Sequence, residues 1–311
     1  MEYITLKNSD LQVSRLCMGG CPMGGYGWGQ VDERELIAAV RAALDRGVNF
    51  FDTADTYGLG QSERTLGKAL GARRPEAVIA TKFGVRIENG KTFYDNSHQW
   101  IRRACEESLK RLDTEYIDLY QVHYRDKETP MAAVVETLEQ LRAEGKIRYF
   151  GLSNQYRGDL QELLPWKGTF SSFQNQYSLA CRDYETDIRE LSGKLDMTPM
   201  TWGSLGQGIL TGKYDENVRF GSDDRRSRKV YVNFYGEKLK KNLTIVERLR
   251  QEARNCRVPV SAAAVRFILD YIPGSVVLCG AKRPEQILET METLTFSLEP
   301  EALRRLEEVS R

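Results

Sequence analysis

The sequence predicts an α/β protein built as a (β/α)8 TIM barrel, with an N-terminal β-hairpin and an additional C-terminal helix. Eight short apolar segments alternate with segments of helical periodicity, and most connections between them are a few residues long. Such alternation is typical of a parallel sheet, and closing it into a barrel leaves no unprotected edge. With 311 residues, of which 41% are hydrophobic, the chain can supply the core of a large barrel. We therefore expect one domain over residues 1–311.

The beginning of the chain predicts a hairpin, a strand and a helix. Residues 3–6 and 11–13 alternate apolar and polar side chains around a turn, and the hairpin they predict would close the bottom of the barrel. Residues 14–19 follow as the first barrel strand. Apolar residues then recur at helical spacing over residues 32–46, with Asp32 as the N-cap and Gly47 as the stop.

The same rhythm continues to the end of the chain. The remaining barrel strands are predicted at residues 49–51, 77–80, 116–120, 147–151, 170–173, 198–202 and 275–278. Helices are predicted at residues 62–70, 97–112, 132–143, 158–164 and 184–193, from residue 237 onward, and at 300–309.

A doubly wound dinucleotide-binding domain followed by a second domain is the alternative architecture. It requires a G-x-G-x-x-G turn between the first strand and the first helix, with an acidic residue about twenty positions later. The loop GGCPMGGYGWG lacks that fingerprint, which favours the barrel.

One segment, residues 204–236, is too long for a plain connection. It could be a disordered insertion around a basic run at residues 225–229. It also contains five aromatic residues, more than disordered segments usually carry. We favour a lid that becomes ordered over a ligand.

The composition points to a small-molecule partner in the cytoplasm. A net charge of +1 provides no field for nucleic acid or an anionic membrane. The N-terminus lacks the apolar stretch of a signal peptide, and no apolar run is long enough for a membrane helix. The six cysteines form no C-x-x-C pair, and no histidines stand at metal spacing, so we expect reduced thiols and no metal.

Polar residues that suit catalysis follow the predicted strands. In a barrel these strand ends converge on one mouth. The residues are Asp52 and Tyr57 after the second strand, Lys82 after the third, His123 after the fourth, Ser153 and Asn154 after the fifth, Gln174 after the sixth and Trp202 after the seventh.

Four of these residues form a plausible acid–base group. An ammonium near a phenol stabilises the phenolate, so Lys82 is expected to lower the pKa of Tyr57, while Asp52 holds the lysine. His123 could hydrogen-bond the oxygen on which charge develops. Each residue alone has a plainer interpretation: a turn cap, a solvated lysine, a packing tyrosine or a core histidine. Their convergence on one mouth favours the catalytic interpretation, whereas Asp55 is assigned to turn structure and His98 to the surface.

Several stretches, in chain order, resemble the aldo-keto reductase family over essentially the whole chain. They are NFFDTADTYGLGQSERTLGKAL, IATKFG, SLKRLDTEYIDLYQVH, AEGKIRYFGLSNQ, WGSLGQGILTGKY and VLCGAKRPEQI. The resemblance implies a barrel that binds a nicotinamide cofactor, usually NADP, and interconverts a carbonyl and an alcohol by hydride transfer. It implies Tyr57 as general acid and base, Lys82 and Asp52 as its tuning pair, and His123 as the polarising residue.

The resemblance also implies a cofactor site. Ser153, Asn154 and Gln174 would hold the nicotinamide carboxamide, and Trp202 would stack on the ring. The pyrophosphate would lie against a glycine-rich segment that contributes Gly203, Ser204, Leu205, Gly206, Gly208 and Lys213. The adenosine 2′-phosphate would face Gly280, Lys282, Arg283 and Gln286.

Departures from the family pattern leave the cofactor choice open. Lys282 replaces a common arginine, which keeps the charge but loses the bidentate fork, so NAD could also be used. Thr290 stands where asparagine is common near the adenine. Tyr26, Trp28 and Tyr94 suggest a small polar substrate such as an aldehyde, a sugar or a polyol. The alternative function is a regulatory or channel-associated subunit that holds the cofactor with little turnover, and the oligomeric state is not predicted.

Overall fold

The computed structural model describes residues 1–311 and contains twelve β-strands. The strands are β1 (Tyr3–Thr5), β2 (Gln12–Ser14), β3 (Leu16–Gly19), β4 (Phe50–Asp52), β5 (Val78–Phe83), β6 (Val85–Glu88), β7 (Lys91–Tyr94), β8 (Ile117–Val122), β9 (Ile147–Ser153), β10 (Ser172–Gln176), β11 (Thr198–Trp202) and β12 (Val276–Gly280).

Ten α-helices accompany the strands, and none is long and apolar enough to cross a membrane. They are α1 (Glu33–Asp45), α2 (Gln61–Leu70), α3 (His98–Leu112), α4 (Met131–Ala143), α5 (Leu160–Leu163), α6 (Glu185–Leu195), α7 (Gly236–Cys256), α8 (Val260–Tyr271), α9 (Pro284–Met291) and α10 (Pro300–Ser310).

Eight parallel strands close into a barrel in the order β3-β4-β5-β8-β9-β10-β11-β12, with β12 paired to β3. The predicted TIM barrel is confirmed, and the doubly wound alternative is wrong. Because all eight strands are parallel, their C-terminal ends lie at one mouth, and side chains at those ends come together from distant parts of the sequence.

The hairpin of β1 and β2 closes the other end of the barrel, as predicted. Leu6, Leu11 and Val13 are buried in one apolar cluster with barrel residues such as Phe50 and Leu119. Burial of an aliphatic or aromatic side chain of this size contributes about 1.5–3 kcal/mol, so the plug stabilises the bottom of the barrel.

The helices pack around the barrel through a second, larger apolar cluster. Asp32 caps α1, as expected, and accepts a hydrogen bond from the Arg34 backbone at 2.8 Å. The C-terminal helix α10 begins at Pro300 and packs against α7 and α8. Pro300 occupies the first turn, where its missing N–H costs no helical hydrogen bond.

The structure differs from the predicted boundaries at several places. The sixth barrel strand is Ser172–Gln176, shifted toward the C-terminus, so Gln174 lies within the strand rather than after it. The helix predicted at residues 158–164 is α-helical only at Leu160–Leu163, with 3-10 turns on both sides. The β6–β7 hairpin and the helices α8 and α9 were not predicted from the sequence.

Candidate active site

A cavity of about 1220 Å³ opens at the C-terminal ends of the barrel strands. All but two of the residues predicted for the site line it. The lining residues are Tyr26, Trp28, Asp52, Tyr57, Tyr94, His123, Ser153, Asn154, Gln174, Trp202, Gly203, Ser204, Leu205, Gly208, Lys213, Gly280, Lys282, Arg283 and Gln286. The other two, Lys82 and Gly206, are buried immediately behind the cavity wall.

Lys82 and Asp52 form a fully buried ion pair inside the barrel. The Lys82 Nζ lies 2.6 Å from Asp52 Oδ1 and donates a second hydrogen bond to the Thr53 carbonyl at 2.9 Å. The same ammonium lies 3.5 Å from the Tyr57 hydroxyl. The predicted grouping of these three side chains is therefore present, on strands β4 and β5 and the loop between β4 and α2.

The second oxygen of Asp52 has two partners that complete its hydrogen bonding. Gln121 Nε2 donates to Oδ2 at 3.2 Å and Gln174 Nε2 donates at 2.8 Å. Gln121 was not among the predicted site residues, and within the buried strand β8 no local signal distinguishes it. One N–H of the Gln174 amide is engaged by Asp52, and the side-chain oxygen Oε1 can accept a hydrogen bond from a ligand.

The expected lowering of the Tyr57 pKa does not occur in the structure. Burial raises the pKa of Tyr57 well above its ordinary value, and the nearby Cys21 and Asp52 add to the increase. The Lys82 ammonium, which is paired with Asp52, does not offset the effect of burial on the Tyr57 pKa. Tyr57 is therefore a neutral phenol at physiological pH, the state from which it can donate a proton.

His123 lies beside Tyr57 with the two rings edge to face and their centroids 6.0 Å apart. Burial and the positive charge of Lys82 lower the pKa of His123 well below its ordinary value, so the ring is neutral. Its Nδ1 is buried without a hydrogen-bond partner, which favours the tautomer with the proton on Nε2 because an orphaned N–H is the costlier of the two. The ring can thus donate one hydrogen bond.

The residues after β9 form a compact polar platform next to Gln174. Ser153 Oγ donates to the backbone carbonyl of Gln174 at 3.1 Å, and Asn154 Nδ2 donates to the backbone carbonyl of His123 at 3.1 Å. Asn154 has φ +55°, an uncommon conformation that turns its side chain back toward His123. Trp202, at the end of β11, provides a half-buried aromatic wall on the same side of the cavity.

The glycine-rich segment after β11 follows a left-handed path. Gly203, Gly206, Gln207 and Gly208 all have positive φ values. A Cβ at Gly206 would lie 2.8 Å from the Ile209 side chain and 2.9 Å from the Ala180 Cβ, so this position requires glycine. The N–H groups of Gly206 and Gly208 close turns onto the carbonyls of Gly203 and Leu205, at 2.8 and 2.9 Å.

Several cationic side chains lie at the end of the cavity next to this segment. Burial lowers the pKa of Lys282, and the neighbouring Arg226, Arg283 and Lys213 act in the same direction. Lys282 Nζ donates to the Trp28 carbonyl at 2.8 Å, and Gln286 Oε1 accepts from the Lys282 backbone at 2.7 Å. A surplus of cations around a large cavity suits a phosphorylated ligand.

Residues 204–236 cross the mouth with an ordered path, so the disordered alternative is wrong for this segment. Asp224 forms an isolated bridge with Trp28, and the Arg225 backbone N–H donates to the Gly27 carbonyl at 2.9 Å. Arg226 is held by Asp224 and by the Tyr214 hydroxyl, and its guanidinium lies 4.4 Å from the centre of the Phe220 ring. Through Asp224 and Arg225 the segment is joined to the loop after β3, a strand that lies two positions from β11 in the barrel.

Several cavity residues were not found from the sequence. Tyr124 stacks on His123 with centroids 5.0 Å apart and on Tyr94 at 5.3 Å, which builds an aromatic wall outward from the centre. Cys21 also lines the cavity, and burial raises its pKa, so it is a thiol and not a thiolate. His98 is exposed, as expected. Asp55, assigned to turn structure, instead has a buried Oδ1 without a hydrogen-bond partner.

The described residues fit a nicotinamide dinucleotide on structural grounds. The cavity is lined by the acid–base group, by the aromatic ring of Trp202, by the left-handed glycine segment and by the cations Lys213, Lys282 and Arg283. No group of three or more His, Cys, Asp or Glu side chains has an arrangement that could hold a metal ion.

Comparison with known proteins gives a consistent assignment. The model of the aldo/keto reductase family matches residues 15–311. Aldo-keto reductase YhdN of Bacillus subtilis (strain 168) is 34% identical over 304 residues, which cover 97% of this chain and 91% of that protein. Aldo-keto reductase AFTS1 of Alternaria alternata is 30% identical, with coverage of 99% and 92%.

Two solved structures are similar over nearly their whole lengths. The glycerol dehydrogenase AKR11B4 from Gluconobacter oxydans has a TM-score of 0.88 and 32% identity, with 99% of this chain and 94% of that chain covered. The aldo-keto reductase AKR11C1 from Bacillus halodurans, solved in its holo form, has a TM-score of 0.80 and 26% identity, with coverage of 100% and 97%.

Proposed function

Because the chain belongs to the aldo/keto reductase family of oxidoreductases, we propose that it is an NADP-dependent enzyme that interconverts an aldehyde or ketone and the corresponding alcohol, with Tyr57 as general acid and base. The observation that carries the proposal is the neutral Tyr57 phenol at the cavity wall, 3.5 Å from the buried Lys82 ammonium, which Asp52 holds. The complete group of four residues argues against a subunit that only holds the cofactor.

The bound nicotinamide supplies the hydride, and the residues of this chain move the proton. In reduction, Tyr57 donates its proton to the carbonyl oxygen, while the neutral His123 ring donates a hydrogen bond to the same oxygen and favours the developing charge. Lys82 then stabilises the phenolate that remains on Tyr57. In oxidation, the phenolate form of Tyr57 accepts the proton of the alcohol, and the same contacts operate in reverse.

Ser153, Asn154 and the free Oε1 of Gln174 are proposed to hold the carboxamide, with Trp202 against the ring. The glycine-rich segment from Gly203 to Lys213 is proposed for the pyrophosphate. Lys282 and Arg283 are proposed for the 2′-phosphate, with Gln286 orienting Lys282 through its backbone N–H. Two cations at one end of the cavity support NADP over NAD, because a dianionic phosphate needs compensating charge.

We propose a small aldehyde, sugar or polyol as the substrate. Tyr26, Trp28 and Tyr94 line the outer part of the cavity, and Tyr26 and Tyr94 are more than half exposed, so a substrate can both stack and hydrogen-bond there. The glycerol dehydrogenase among the structural relatives supports testing glycerol and glyceraldehyde first.

The test of the catalytic assignment is the Tyr57→Phe variant, which keeps the ring and removes the transferable proton. We expect kcat/KM for glyceraldehyde reduction to fall roughly 10²- to 10⁴-fold, the usual contribution of a general acid, with NADPH affinity unchanged. Equal rates for the variant and the parent protein would refute the role of Tyr57.

The test of cofactor choice is Lys282→Ala, with the exposed Lys110→Ala as the control for loss of a lysine. Fluorescence titration should show NADPH affinity reduced about tenfold, the effect of one charge-assisted contact, and NADH affinity unchanged. An unchanged ratio of the two affinities would remove Lys282 from the 2′-phosphate site.

A further inference from the structure

A buried group of polar side chains lies behind the loop that carries Tyr57, on the outer side of the barrel wall. Glu63 on α2 is fully buried and accepts hydrogen bonds from Thr81 Oγ1 at 2.6 Å and from Arg111 Nε at 2.5 Å. Arg111, on α3, is mostly buried and also contacts Ser108 Oγ at 3.2 Å. Two helices and one barrel strand therefore meet at a single carboxylate.

The hydrogen bond between Thr81 and Glu63 acts on the strand that carries Lys82. Thr81 and Lys82 are neighbours on β5, and neighbouring side chains of a strand point to opposite faces. Lys82 thus points into the barrel toward Asp52, while Thr81 points outward to Glu63. A hydrogen bond on the outer face fixes the strand at the position from which the ammonium projects.

The Arg111 side chain acts on the loop that carries Tyr57. A Cβ at Gly60 would lie 2.3 Å from Arg111 Cδ and 2.6 Å from its Nε, so the arginine stem rests directly against the loop backbone. Gly60 has φ +84°, a conformation that permits this close approach. The loop is also joined to β5, because the Asp55 backbone N–H donates to the Lys82 carbonyl at 3.5 Å.

A buried ion pair of this kind is a weak source of stability. Removing two charges from water costs about as much as their attraction returns, and apolar residues of similar volume often replace such pairs without loss. The geometric consequence is more informative, since Glu63 and Arg111 connect the two segments that bring Tyr57 and Lys82 together.

We propose that Glu63 and Arg111 are positioning residues, which hold the Tyr57 hydroxyl and the Lys82 ammonium at the separation that proton transfer requires. The inference rests on the proposed role of Tyr57. Neither residue lines the cavity, so both act through the backbone of the loop and of β5 rather than on the substrate.

The experiment compares Glu63→Gln, Thr81→Val and Thr81→Ser with a structural control at the other end of the barrel. Asp118→Asn disrupts the buried ion pair with Arg74, in which the closest atoms lie 2.7 Å apart, far from the cavity. NADPH affinity, thermal unfolding, and kcat as a function of pH for glyceraldehyde reduction are measured for all variants.

We expect kcat to fall roughly 10- to 100-fold in Glu63→Gln and in Thr81→Val, the effect of a small misplacement of reacting groups, with NADPH affinity unchanged. Thr81→Ser keeps the hydroxyl and should retain the parental kcat. Asp118→Asn should lose thermal stability without loss of kcat. A loosened loop admits water to Tyr57, so the alkaline limb of the kcat profile should move to lower pH in the two impaired variants.

The outcomes separate this inference from the proposed function. If Tyr57→Phe is inactive while Glu63→Gln and Thr81→Val keep the parental kcat and pH profile, the positioning role is overturned and the catalytic assignment stands. If Tyr57→Phe keeps full activity, the catalytic assignment fails first. If kcat in all variants, Asp118→Asn included, follows thermal stability alone, the group has only a structural role and the inference is wrong.

Discussion

Asp52 and Lys82 face each other inside the barrel, with the carboxylate Oδ1 2.6 Å from the ammonium Nζ and neither side chain exposed by more than 2%. Their partners come from three further barrel positions, because Thr53, Gln121 and Gln174 complete the hydrogen bonding. Charges buried this deeply depend on one another, and the removal of either leaves the other unpaired in an apolar interior.

Replacing one member of this pair should therefore destabilise the protein more than replacing both. In Lys82→Met we expect the free energy of unfolding to fall by about 3–5 kcal/mol, since the Asp52 carboxylate stays buried without its counter-ion. The double variant Asp52→Asn with Lys82→Met should recover part of that loss. Urea denaturation of Lys82→Met, Asp52→Asn and the double variant measures the coupling, and additive effects of the two single replacements would contradict it.

The His123 pKa, lowered by burial and by Lys82, makes stability depend on pH in a defined direction. The unfolded chain takes up a proton near pH 6.5, whereas folded His123 remains neutral below that value. Its contribution to stability is thus fully present above about pH 6.5 and is lost as the pH falls through and below it.

His123→Asn should consequently show a smaller drop in Tm between pH 7.5 and pH 5.5 than the parent protein. The chain has only two histidines, so His98→Asn is a clean control and should keep the parental pH dependence. Differential scanning calorimetry at both pH values measures the Tm of the two variants and of the parent protein. An unchanged drop in His123→Asn would show that the buried ring is not the source.

Asp55 presents the opposite case, a carboxyl whose pKa is raised by burial. Burial raises the pKa of Asp55 well above its ordinary value, the nearby Glu63 carboxylate raises it further, and Arg111 and Lys82 offset this only in part. In the unfolded chain the carboxyl ionises near pH 3.9, so its folded protonation costs stability as the pH rises above that value.

Asp55→Asn removes this cost and should stabilise the protein at pH 7 by on the order of 1 kcal/mol, a usual single-site effect. The gain should disappear near pH 3, where Asp55 is protonated in both states. Guanidinium denaturation at the two pH values measures it. A destabilised variant at pH 7, or an equal gain at both pH values, would be inconsistent with a buried neutral carboxyl.

Arg226 fixes the internal conformation of residues 204–236, because its guanidinium donates to Asp224, to the Tyr214 hydroxyl and to the Gln207 carbonyl within the same segment. Arg226→Ala should loosen the segment, so limited proteolysis within it should become faster and NADPH should bind roughly tenfold more weakly. Arg219→Ala, in an exposed part of the same segment, is the matched control. Equal cleavage rates in the two variants would exclude Arg226 as the residue that holds the segment.

The sequence by itself determined a parallel α/β architecture, because the alternation of short apolar strands with amphipathic helices is a local property. The missing G-x-G-x-x-G turn then favoured the barrel over the doubly wound alternative. The sequence also determined which residues stand at the strand ends, and parallel strands oblige those ends to meet. Asp52, Lys82, His123 and Trp202 were therefore identified by position in the repeat, and Lys282 and Arg283 by their place in the family motif.

Only the tertiary structure decided how these residues are tuned. The pKa of Tyr57 depends on burial and on the pairing of Lys82 with Asp52, neither of which the local sequence encodes. Gln174 reaches Asp52 across 122 residues of sequence, and Glu63 reaches Arg111 across 48. Hydrogen bonds over such separations depend on how strands and helices are packed, so the Tyr57 surroundings and the group behind them became visible only in the folded chain.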